Sequence, residues 1–307
     1  MSQQRYCSEL SLQSREALIG TATPTSVYLL LEYPHAWGPK AIPESGLPEA
    51  VKNWLGDQAA ALPAAKSLLI RGEASAQASG FHFFVAAVRE QDPALYAFRL
   101  ERYEELLRLD IPALLDGSPA YQPHRRPGPL LLVCTNGRRD LCCARKGLPV
   151  YQTLRDAHGR APGIAWQVSH VGGHRFAANL ISLPHGLLYG RVEPESALSI
   201  LEAAQGGHIH LPNLRGRTCY SQVVQAAEYH LRARSGETAI DRYRLMDAAE
   251  ITQGTWRVRF QAPSAGTVHR LRLRVEETGV QIYQGCGLDK VAARIDYSLE
   301  GYEVEKL

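Results

Sequence analysis

The 307-residue sequence predicts an α/β protein in which a βαβββα order runs twice and is followed by a small antiparallel β tail. Three observations predict it. Short aliphatic and β-branched runs alternate with segments of helical periodicity. The tripeptide Gly-Leu-Pro recurs at the mouth of the first helix of each half, as Gly46, Leu47, Pro48 and again as Gly147, Leu148, Pro149. Beyond Leu211 the helical and apolar alternation gives way to period-two segments.

The first half opens on SVYLLLE (Ser26 to Glu32), a β-branched and aliphatic run closed by the loop YPHAWGP, which reads as a buried strand. GLPEAVKNWL follows, with Pro48 suited to a helix start and Val51, Trp54 and Leu55 on one face. Ser67 to Arg71, Phe81 to Val88 and Leu95 to Leu100 are strand candidates, and Glu101 to Leu109 is an acidic-basic helical segment.

In the second half PLLLVC (Pro129 to Cys134) predicts a strand, and GLPVYQTLRDAHG a helix beginning at Pro149 and stopped by Gly159. Ile164 to Ser169 predicts a further strand, Asn179 to Leu183 with Leu187 to Val192 a hairpin, and Pro194 to Gln205 a helix. A strand, helix and strand followed by a hairpin and helix is the order of a thioredoxin-like unit, so the chain is expected to hold two such units from an internal duplication. In the tail, a helix over Tyr220 to Arg234 precedes strands at Trp256 to Gln261, Val268 to Val275 and Val280 to Tyr283. The expected division is 1–120, a degenerate thioredoxin-like domain, 121–235, a second one carrying the chemistry, and 236–307, a β-rich extension.

With 45% hydrophobic and 21% charged residues the chain can bury substantial cores. A net charge of +3 is too small to argue for nucleic acid as a partner. The start, MSQQRYCSEL, lacks the layout of a secretory signal, and no apolar run is long enough to cross a bilayer, so a cytoplasmic protein without membrane partners is expected. Six cysteines are too few for a disulfide framework and point instead to metal binding or redox chemistry.

The chemistry concentrates in two short stretches. CTNGRRDLCC places Cys134 at the end of an apolar strand and Cys142 and Cys143 after a basic loop. HVGGH places His170 and His174 just past the next strand, with Gly172 and Gly173 between them. The ends of the first two parallel strands of such a unit lie at one sheet edge, so two thiols and two imidazoles converge from two loops. The paired glycines allow a tight fold and a close approach to a bulky group. A Cys2His2 set suits one tetrahedral Zn²⁺ or a [2Fe-2S] cluster with two histidine ligands.

Cys134 and Cys143 as C-x8-C, followed by H-x-G-G-H at His170 to His174, resemble the sucrase/ferredoxin-like family of thioredoxin-like ferredoxins with bis-histidinyl [2Fe-2S] clusters. The resemblance extends from Tyr28 through YPHAWGP to LRGRTCYSQVVQAAEYHLR. It implies that Cys134 and Cys143 bind one iron and His170 and His174 the other. Cys142 leaves a second way to close the cysteine loop, one residue shorter. The implied activity is one-electron, proton-coupled transfer, with a redox partner protein. The cations Arg125, Arg126, Arg138, Arg139, Arg145, Lys146 and Arg175 near the ligands would favour a partner with an acidic reductase surface.

Other readings start from the same residues. A zinc-binding structural or interaction module would use the same four ligands, and a thiol-dependent oxidoreductase would use Cys134 or the vicinal pair. A phosphatase-type loop fails, because Asp140 stands where the anion-binding arginine belongs, and adjacent thiols are not the C-x-x-C of a dithiol enzyme. No pair of carboxylates marks glycoside hydrolysis, so no catalytic residue is assigned and an electron carrier is expected rather than a hydrolase. Cys219 and Cys286, each without a second ligand type nearby in sequence, read as structural or incidental thiols.

Overall fold

The computed structural model describes residues 6–73, 79–157, 163–286 and 291–306. Nine strands form one mixed sheet and four more a separate antiparallel sheet, with helices packed around both. This is the expected α/β class with a β-rich tail.

A short helix α1 (Cys7–Gln13) precedes β1 (Val27–Glu32), every residue of which is buried. Helix α2 (Glu49–Ala61) starts where Pro48 predicts and buries Val51 and Leu55. Strands β2 (Ala65–Arg71), β3 (Phe81–Ala87) and β4 (Ala94–Leu100) follow. The expected helix over Glu101 to Leu109 is a 3-10 turn, Tyr103–Arg108, after which Asp110 caps α3 (Ile111–Leu115) by accepting the Ala113 N–H at 3.0 Å.

The second half supplies β5 (Leu130–Cys134), α4 (Leu141–Ala157), β6 (Ala165–Val168), β7 (Leu180–Leu183), β8 (Leu187–Tyr189), α5 (Pro194–Gln205) and β9 (Leu214–Arg217). One boundary differs from expectation. Gly147 and Pro149 do not open α4 but lie inside it, because the helix begins at Leu141 and carries Cys142 and Cys143 in its first turn. A Cβ on Gly147 would stand 2.2 Å from the Cys134 carbonyl oxygen, so this glycine serves close contact between α4 and β5 and not a turn. The expected stop at Gly159 lies outside the described residues.

The large sheet runs β4-β3-β1-β2-β6-β5-β7-β8-β9. Within each half the first two strands pair in parallel and the third joins the first from the other side, antiparallel. The halves meet at β2 and β6, antiparallel, with Ile70 opposite Val168 and Arg71 opposite Gln167. One core runs across this junction, holding Leu30 and Phe84 from one half and Leu132 and Ile181 from the other.

Helix α6 (Gln222–Ser235) leads to β10 (Arg244–Thr252), β11 (Thr255–Ala262), β12 (Thr267–Tyr283) and β13 (Val291–Lys306). The two expected strands at 268–275 and 280–283 are one, β12, interrupted by an irregularity between Glu277 and Gln281. Val224 and Leu231 of α6 pack on Val258, Phe260 and Leu271 of this sheet. The far end of the tail returns to the start of the chain, where Arg294 donates to the Ser14 carbonyl at 2.8 Å. Among the described residues no helix is long and apolar enough to cross a membrane.

Candidate metal centre

Strands β5 and β6 are parallel, with Cys134 opposite Val168, so the chain leaves both at one edge of the sheet. Cys134 ends β5, and His170 stands two residues beyond β6. Between β5 and α4 the chain turns tightly, the Asp140 N–H donating to the Asn136 carbonyl at 3.1 Å. The Asp140 carboxylate then accepts the Cys142 N–H at 2.9 Å, a side-chain cap that fixes the first turn of α4.

That cap directs Cys143 back toward the strand ends. The Cys134 and Cys143 thiols share a hydrogen bond, and Cys143 Sγ lies 3.4 Å from His174 Nδ1. The imidazoles of His170 and His174 sit with ring centroids 4.7 Å apart. All four residues expected from the sequence therefore gather at one end of the sheet. Two of them also join Asp140: ligand atoms of Asp140, Cys143 and His174 lie within 4.8 Å of one another, a Cys/Asp/His group able to hold a metal. Asp140 enters the sequence argument only as the residue that spoils an anion loop. Its carboxylate becomes a candidate ligand once α4 starts at Leu141.

The glycines of HVGGH have a specific neighbour. Gly172 and Gly173 have φ of +93° and +77°, and a Cβ on Gly173 would meet the Arg215 guanidinium at 2.5 Å. Arg215 is buried on β9 and donates to the Gly172 carbonyl at 2.9 Å, to Asn179 Oδ1 at 2.8 Å and to the Thr21 carbonyl at 2.6 Å. Asn179 in turn donates to the Gly173 carbonyl at 2.9 Å. Gly173 thus makes room for a buried cation that holds the histidine loop by its backbone.

Burial holds His170 down at about 3, with His174, Arg139, Lys66 and Arg215 pushing the same way. Burial also lowers His174, against the raising effect of Asp140. Both rings are therefore neutral at ordinary pH, the form that binds metal. His170 Nδ1 is buried and lacks a hydrogen-bond partner among the described residues, as expected of a nitrogen whose partner is not part of the chain. The hydrogen bond from the Cys143 thiol keeps Cys134 below the ordinary thiol range and raises Cys143 above it.

Of the loop cations singled out in the sequence, several are tied to acids: Arg125 to Asp92, Arg145 to Glu9, Lys146 to Glu193 and Arg175 to Glu16. Arg126 donates to the Gly163 carbonyl at 2.6 Å and Arg139 to that of Pro39 at 3.0 Å. Lys66 and Arg215, which sequence proximity does not reveal, act on His170 as Arg139 does.

The sucrase/ferredoxin-like family profile matches residues 18–216, which takes in both ligand stretches. The chain belongs to the sucrase/ferredoxin-like family. Similar curated proteins include two yeast sequences named altered inheritance of mitochondria protein 32. That of Debaryomyces hansenii is 35% identical over 28% of this chain and 35% of its own length. That of Clavispora lusitaniae is 27% identical over 44% of this chain and 50% of its own length. The chain thus matches half or less of the length of these relatives. No solved structure matches. Membership of the family rests on the fold region and not on the tail, since β10 to β13 lie beyond the matched residues.

Proposed function

We propose that this protein is a one-electron carrier whose [2Fe-2S] cluster is held by Cys134 and Cys143 on one iron and by His170 and His174 on the other. The observation that carries the reading is the convergence of the C-x8-C thiols and the H-x-G-G-H imidazoles where β5 and β6 end side by side, with the two imidazole centroids 4.7 Å apart. The donors suit the group: the Cys143 thiol lowers Cys134 below the ordinary thiol range, burial lowers both imidazoles, and one buried ring nitrogen lacks a partner among the described residues. A cluster so bound takes up and releases one electron, at a potential raised by replacing two thiolates with imidazoles.

The chain's own residues set the surroundings. Lys66, Arg139 and Arg215 place positive charge near the histidines and so favour the reduced, more negative state. Arg215 fixes the loop bearing the histidines through its bonds to Gly172 and Asn179. Arg138 and Arg139, exposed on the loop between β5 and α4, suit a partner protein with an acidic face. Six unpaired cysteines suit a reducing compartment such as the cytoplasm. The tandem thioredoxin-like reading is supported by the repeated pairing order of the two halves, the first acting as a cluster-free copy.

A second reading, a single Zn²⁺ without electron transfer, is favoured by the compactness of Asp140, Cys143 and His174. The visible spectrum of protein purified without oxygen, before and after dithionite, with iron, zinc and acid-labile sulfide measured on the same sample, separates the two. Absorption that bleaches, with about two irons and two sulfides per chain, is the expected result. A colourless protein without iron or sulfide in which zinc is lost on Cys143→Ser would sink the electron-carrier reading.

A further inference from the structure

Cys142, next in sequence to a cluster ligand, faces another pocket, assembled from three distant parts of the chain. Its Sγ lies 3.7 Å from that of Cys7 on α1 and 3.2 Å from that of Cys286, just past β12. Cys286 Sγ and Cys7 Sγ are 3.5 Å apart, and Cys7 Sγ is 3.6 Å and 3.7 Å from the two Asp140 carboxylate oxygens. One ligand atom from each of the four residues lies within 4.8 Å of all the others. Cys7, Cys142 and Asp140 are buried and Cys286 is half-buried.

These spacings match one coordination geometry. Around a tetrahedral Zn²⁺, bonds of about 2.3 Å to sulfur and about 2.1 Å to oxygen put sulfurs about 3.8 Å from one another and about 3.6 Å from the oxygen. The observed sulfur separations of 3.2, 3.5 and 3.7 Å fall inside that edge, by about 0.6 Å at most, and Cys7 Sγ stands at the sulfur–oxygen edge, 3.6 and 3.7 Å from the two carboxylate oxygens. The carboxylate is already oriented, since its oxygens accept the Cys142 N–H at 2.9 Å and the Cys286 N–H at 2.7 Å. Three thiols packed on a buried carboxylate form a soft, anionic donor set that a divalent cation neutralises.

We propose that Cys7, Cys142, Cys286 and Asp140 hold a second metal, a four-coordinate structural Zn²⁺, separate from the centre at Cys134, Cys143, His170 and His174. Binding displaces the three thiol protons to solvent and leaves no open coordination position, so the site is structural. It ties α1 and the segment after β12, through Cys7 and Cys286, 279 positions apart, to the first turn of α4. The proposal rests on the reading in which Cys134, Cys143, His170 and His174 form the neighbouring centre, which leaves the Asp140 carboxylate to this one.

The test is zinc and iron content of the full chain and of three variants, each purified with zinc supplied. The wild type should retain about one zinc per chain. Cys7→Ser and Cys286→Ser should lose most of it with iron content and visible spectrum unchanged, whereas Cys134→Ser should lose iron and keep zinc. Against misfolding of a variant, the wild type itself is alkylated: the peptides bearing Cys7 and Cys286 should be protected until a chelator strips the zinc. Wild-type protein without zinc, zinc retained by both tail variants, zinc lost on Cys134→Ser alone, labelling indifferent to the chelator, or a Cys142–Cys286 disulfide on peptide mapping would each overturn the proposal.

Discussion

Cys142 and Cys143 are consecutive residues whose sulfurs belong to different pockets: Cys143 Sγ is 3.4 Å from His174 Nδ1, and Cys142 Sγ is 3.2 Å from Cys286 Sγ. Neighbours in an α-helix point about 100° apart, so the first turn of α4 can serve both sides of the helix. The relationship depends on Asp140, whose carboxylate caps that turn.

Exchanging either thiol for a hydroxyl separates the two roles. Cys143→Ser is expected to abolish the visible absorption and the bound iron, while Cys142→Ser leaves both. Spectra and iron content of the two variants, prepared in parallel without oxygen, check this; the opposite pattern would reassign the ligand.

Gly173→Ala tests the histidine loop. With φ at +77° and the Arg215 guanidinium 2.5 Å from the new Cβ, alanine is strained and crowded at once. A loss of about 1–3 kcal/mol in urea unfolding is expected, together with weaker iron retention. Stability equal to wild type would show that the loop relaxes freely.

Gly147→Ala tests the contact of α4 with β5. The added methyl would meet the backbone oxygen of Cys134, which cannot swing aside as a side chain would. A cost of about 1–3 kcal/mol is expected from overpacking, read in the same unfolding experiment. The same change at Gly56, where a Cβ meets nothing, serves as the control and should be neutral or stabilising.

The metal-free protein should lose stability on acidification. Burial lowers His170 from 6.5 to about 3 and His185 to about 4, so the unfolded chain takes up protons below about pH 6.5 that the folded one refuses. Stability should fall as the pH drops through that window and level off near the folded values. Urea midpoints at about pH 7.5 and about pH 5 check the sign, which should weaken in His170→Ala.

Much of this was legible in the sequence because the informative residues are close together in it. The run LLLVC reads as a buried strand and is one, and Cys134, Cys143, His170 and His174 meet because β5 and β6 are parallel neighbours. The start of α4 was not legible, since Gly147 and Pro149 read as a helix mouth and only the Asp140 cap shows the helix starting earlier. Strand β9, LRGR, was hidden by its arginines, which are buried with partners of their own: carbonyls and Asn179 for Arg215, and Glu228 for Arg217. Strand β13 is mostly exposed and so lacks an apolar run. Cys7 and Cys286 carry no spacing signal at all, because their meeting depends on the tail folding back onto the chain's beginning.

The junction of the two halves has a consequence for both ligand stretches. Only Ile70 and Arg71 of β2 pair with β6, reinforced by the Ser169 N–H on the Leu69 carbonyl at 2.9 Å and the Leu69 N–H on Ser169 Oγ at 3.1 Å. His170 follows Ser169 directly, whereas Cys134 hangs from β5 one strand further in. The N-terminal half thus touches both stretches: the β2–β6 pairing ends beside His170, and the Gly38 and Pro39 carbonyls accept from Asn136 and Arg139 in the loop that follows Cys134.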